Sequence, residues 1–126
     1  MGLRKSNSNS LVIFSIIFAF LTMITIDASA VDRTYKNQLQ IEYDNYFDEY
    51  VELTKEISKV DKDFREDVLI RNNNYANAKM LARDIKILLD RYLVSDLATK
   101  DILLVDIGFN LSLMAEDVFK LKNDLY

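Results

Sequence analysis

From Leu39 onward the apolar residues fall at alternating spacings of four and three. Leu39, Tyr43, Tyr46, Tyr50, Leu53, Ile57, Val60 and Phe64 form one such ladder. That is a heptad repeat, and it places all eight side chains on one face of a helix. A second ladder runs Phe64, Val68, Tyr75, Ala78, Ala82, Ile85, Leu89 and Tyr92, with Arg71 at the rung between Val68 and Tyr75. A third runs Leu104, Ile107, Leu111, Met114, Val118, Leu121 and Leu125. Period-two alternation, the mark of a half-buried strand, is absent. The pattern predicts an all-α protein, a small three-helix bundle with coiled-coil-like packing.

The heptad slips at Phe64, beside Asp61-Lys62-Asp63. Asp63 and Glu66 there have the spacing of a capping box. A rival break lies at Asn72-Asn73-Asn74, three poor helix formers. The first site divides the chain into helices of matched length, over about 34–60, 63–93 and 97–124. Ser95-Asp96 and Thr99-Lys100-Asp101 both offer N-caps for the last helix. That helix is apolar on more than one side through Ile102, Leu103, Leu104, Val105, Ile107 and Phe109. It is therefore expected to be deeply buried, or to carry a second contact surface.

Ahead of the ladders, residues 1–30 read as a secretory signal peptide. Arg4 and Lys5 provide the positive n-region, Leu11 to Ile26 an uncharged apolar run, and Ala28-Ser29-Ala30 the small residues before a cleavage point. Residues 31–126 are then a single helical domain that is secreted, or held in the periplasm or cell envelope. As a helix the apolar run spans about 24 Å, less than the roughly 30 Å of a bilayer core. An uncleaved anchor is the alternative, with membrane contact confined to residues 11–26.

Composition narrows the function. The chain of 126 residues carries 16 Lys and Arg against 20 Asp and Glu. Setting aside Arg4, Lys5 and Asp27 leaves 14 basic and 19 acidic residues in the domain. That balance argues against nucleic-acid binding, which relies on basic residues at phosphates. There is no Cys, His, Pro or Trp. Disulfides, thiolate or imidazole metal sites and the usual nucleophile–base pairs are therefore excluded. No glycine-rich phosphate loop is present. The expectation is a protein that is not an enzyme and uses no cofactor or metal.

Two features remain as candidates for an interaction surface. One is the crowd of aromatic rings Tyr43, Tyr46, Phe47 and Tyr50, since tyrosine is enriched at interfaces. The ladder accounts for its tyrosines as core positions, whereas Phe47 lies one residue off it. The other is a row of carboxylates, Asp44, Asp48, Glu52 and Glu56, at i, i+4 spacing. Like charges so placed repel by a few tenths of a kcal/mol per pair, so a basic complement is expected. Folding the first two helices about residues 61–62 sets Asp44 level with Lys79 and Glu52 level with Arg71.

The function expected is non-enzymatic: protein–protein interaction through helix faces, or a structural role in the envelope or exterior. The partner is a protein, a second copy of the chain included. The alternative is a small extracytoplasmic holdase-like chaperone or ligand-binding protein. Size and export signal are comparable to those of small periplasmic helical chaperones, but no motif ties the chain to them.

Overall fold

The computed structural model describes residues 28–126. The expected signal segment lies, up to residue 27, outside the described residues. Within them the protein is all-α, 91% helix with no strand. Four helices follow one another: α1 Ala28–Asp63, α2 Glu66–Leu69, α3 Asn73–Leu93 and α4 Leu97–Leu125. The expected three therefore become three long helices and a fourth of one turn.

The difference arises at the first connection, where both candidate breaks are used. Asp63 does not open a helix. It ends α1, and its carboxylate takes the Lys59 ammonium at 2.6 Å and the hydroxyl of Tyr126. The short α2 follows, with Arg65 as its N-cap residue making no side-chain capping bond. The helix expected over 63–93 begins at Asn73 because Asn72 caps it, its Oδ1 accepting from the Tyr75 amide at 3.1 Å. The Asn72 and Asn74 amides also donate to Asp124 at 3.0 and 3.1 Å, which ties the start of α3 to the end of α4. At the second connection Asp96 is the cap, accepting from the Thr99 amide at 2.9 Å.

The helix register follows from this corner. Tyr43 stacks on Tyr92, and Asp61 takes the Tyr75 hydroxyl and the Lys79 ammonium. The midpoints of those pairs fall between residues 67 and 70, on or beside α2 rather than at residues 61–62. Lys79 is therefore about four to five helical turns away from the level of Asp44 expected for it.

The core has two parts. The larger joins rungs of all three ladders, among them Leu39, Tyr43, Leu53, Ile85, Leu89, Tyr92, Leu104, Ile107 and Met114. The smaller fills the corner with Val60, Leu69 and Leu121, against Phe64, Tyr75 and Leu125. The long helices do not pack evenly. α4 lies against both α3 and α1, while α1 and α3 touch each other least. No described helix is long and apolar enough to cross a membrane.

Candidate interaction surfaces

The aromatic stretch of α1 is divided by the core. Tyr43 and Tyr46 are buried, Tyr50 is half-buried, and Phe47 keeps 43% of its surface exposed. Tyr43 stacks between two rings, with Tyr92 at 4.4 Å and Phe47 at 6.2 Å between centroids. Tyr46 donates through its hydroxyl to Glu42 at 3.4 Å, and Glu42 is itself buried. Periodicity did not single out that glutamate. Of the residues selected from sequence, Phe47, Asp44, Asp48 and Glu52 lie at the surface, and Tyr50 is accessible in part.

The carboxylate row is not complemented as expected. Lys79 bridges Asp61 at 3.5 Å, and Arg71 lies in the connection between α2 and α3. Asp44 instead accepts from Gln40 at 2.9 Å, and Glu52 pairs with Lys55 at 3.4 Å, both within α1. Only Glu56 reaches another helix among the bonds of this row, meeting Lys122 of α4 at 2.5 Å. Exposed pairs of this kind contribute about 0–1 kcal/mol each. Among the described residues no three acidic groups converge in a way that would hold a metal ion.

Packing leaves a mark on the tyrosines. Burial pushes the Tyr35, Tyr75 and Tyr92 hydroxyls up from 10.0 to about 12. The nearby Asp101 adds to the effect at Tyr35, the hydrogen bond to Asp61 at Tyr75, and the neighbouring Tyr43 phenol at Tyr92. Such a phenol holds its proton more tightly in the folded chain than in the unfolded one. Stability is then whole below about pH 10 and declines as pH rises toward 12. An alkaline titration followed at 295 nm should show at least three of the seven tyrosines still protonated at about pH 11, with helical dichroism lost as they ionise. Ionisation of all seven near pH 10 with helix content intact would contradict the packing.

Two surfaces stand out besides the aromatic and acidic residues of α1, the first of them on the helix expected to be deeply buried or to carry a second contact surface. The first is the outer side of α4. Ile102, Val105, Phe109 and Leu113 project there at i, i+3, i+7 and i+11, and each keeps between 40% and 65% of its surface exposed. At 100° per residue the four fall within an arc of about 80°. Asp106 and Asp117 lie along one side of the stripe, and Glu116, bonded to Lys120 at 3.1 Å, continues its line beyond Leu113. The helix thus fills the core with one side and presents an acid-edged apolar stripe with the other.

The second is a groove of about 580 Å³ between α1 and α3, the pair of long helices in least contact. Tyr50 and Ile57 of α1 and Ala82 and Ile87 of α3 form its apolar walls. Lys79, Arg83 and Lys86 line α3 at i, i+4 and i+7, and Asp61 is the one carboxylate of the lining. Lys79 is bonded to Asp61, and Lys86 to Asp90 at 2.7 Å. Arg83 makes no ion pair among the described residues. The spacing of the three cations was legible in the sequence, whereas the gap between the helices was not.

Comparisons with protein-family models, with curated proteins and with solved structures found no match for the chain.

Proposed function

We propose that this is an exported, non-enzymatic interaction protein that docks a partner helix on the outer side of α4. Export rests on the charged, apolar and small-residue segments of residues 1–30, and points to the exterior or the cell envelope. The observation that carries the docking is the stripe of Ile102, Val105, Phe109 and Leu113, left in solvent by a helix already buried on its other side. Contiguous exposed apolar surface of this kind marks interaction sites, and anchors at helical spacing suit a helix laid along it. The acidic side favours a partner with basic flanks over a second copy, whose own Asp106 and Asp117 would bring like charge to the contact.

The test is a titration of the full chain with a synthetic amphipathic helix, leucine on one face and lysine at its flanks. Phe109→Glu should weaken binding at least about tenfold, the loss of one large buried anchor, with helix content unchanged. An equally tight complex with a glutamate-flanked peptide would refute the charge argument. Concentration-dependent dimerisation that Phe109→Glu abolishes would assign the stripe to self-association instead.

A second reading, a ligand-binding protein, is favoured by the groove between α1 and α3.

A further inference from the structure

We infer that the groove between α1 and α3 binds a single-chain amphiphile with an anionic headgroup, such as a fatty carboxylate. The inference deepens the ligand-binding reading and does not depend on docking at α4. It begins from charge. A chain of net charge −4 lines this one groove with three cations and a single carboxylate, the reverse of its overall balance. Asp61 and Asp90 occupy two of the cations. The Arg83 guanidinium is left available, and its fixed fork of donors suits a carboxylate or sulfate.

The walls set the rest of the ligand. Tyr50, Ile57, Ala82 and Ile87 are apolar surface beside that cation, so the occupant must carry an apolar body as well as an anionic head. The lining runs from Tyr50 to Asp61 along α1, about 16 Å at 1.5 Å per residue. An extended peptide would fit, but its amides need partners, and helix walls whose backbone bonds are already made present no sheet edge to supply them. An alkyl chain has no such requirement. Each methylene it buries adds to the binding.

Calorimetric titration of the full chain with dodecanoate, below the concentration at which it forms micelles, tests the assignment. One saturable site is expected. Dodecyltrimethylammonium, with the same chain and the opposite charge, should bind at least about tenfold more weakly, as should acetate, which lacks the chain. Arg83→Glu and Ile87→Asp change exposed positions of α3, so helix content should persist while dodecanoate affinity falls at least about tenfold. Phe109→Glu should leave it unchanged. If both dodecyl compounds bind alike and Ile87→Asp weakens both, the groove is a ligand site but the anionic class is wrong. If neither binds, or if neither groove substitution alters binding, the ligand-binding reading falls with it. Co-sedimentation with phosphatidylglycerol vesicles in place of dodecanoate binding would assign the cations to a bilayer surface and overturn the single-chain ligand.

Discussion

Leu104→Ala is expected to remove about 3–4 kcal/mol of stability, as full truncation of a buried leucine does where neighbours cannot close the cavity. Leu104 is fully buried on α4, the helix that packs against both others. Its neighbours in the core include Ile107 on the same helix and side chains brought from α1 and α3. Relaxation into the hole would require two helices to move toward it at once. Against the roughly 5–10 kcal/mol typical of a domain this size, the loss should lower the urea midpoint by a large fraction with little change in slope. Leu93→Ala is the control. Leu93 ends α3 with most of its side chain in solvent, and its truncation should cost no more than about 0.5 kcal/mol. Equal effects from the two substitutions would mean that α4 does not occupy the centre of the bundle.

That arrangement was legible where the repeat runs unbroken. Every member of the α4 ladder from Leu104 to Leu121 is buried, and Leu125, at the end of the helix, is half-buried. A helix without a break keeps its phase, so counting by fours and threes finds the inward side. The middle ladder holds from Tyr75 to Tyr92, and only its first rungs fail, for the same reason. It was extended through Val68, which is 41% exposed, whereas Leu69 beside it is 3% exposed and holds the corner. Between Asp63 and Asn73 the chain leaves one helix axis, makes the single turn of α2 and enters another. A phase counted across such a break has no physical meaning. The error then propagates, because the hairpin register moves with the turn and carries the partner of every charged residue with it. Asp61 and Lys79 are paired for this reason, and the acidic row finds its bonds largely within α1.

The candidate surfaces divide along the same line. Phe47 could be singled out because it stands one residue off an otherwise regular face, and it is partly exposed. Tyr43 and Tyr46 belong to that face, and the core absorbs them. The α4 stripe was foreshadowed by a helix apolar on more than one side. The groove depends on how far α1 and α3 splay over α4, a quantity that side-chain size at the helix contacts decides. No periodicity reports it.

Tyr92→Ala should be as damaging as the leucine truncation, at about 3–5 kcal/mol, for a reason particular to the aromatic end. Tyr92 is almost wholly buried, and its ring lies 4.4 Å from that of Tyr43 with 16° between planes. The Lys100 ammonium stands over the same ring, 4.9 Å from its centroid. Removing the ring leaves a cavity between the end of α3 and the start of the α1 aromatic run, and also ends the cation–π contact. Stacked pairs contribute about 0.5–1.5 kcal/mol beyond the area they bury, and that part can be isolated. In a double-mutant cycle of Tyr92→Ala with Tyr43→Ala, the two losses should fall short of additivity by that amount. Tyr92→Phe preserves the ring, the stack and the cation's seat, so it should cost well under half as much as Tyr92→Ala. A coupling energy of zero would show that the rings merely adjoin. A Tyr92→Phe loss equal to that of alanine would place the stabilisation in the hydroxyl, and the stacked pair would then no longer account for how α1 and α3 are joined at this end.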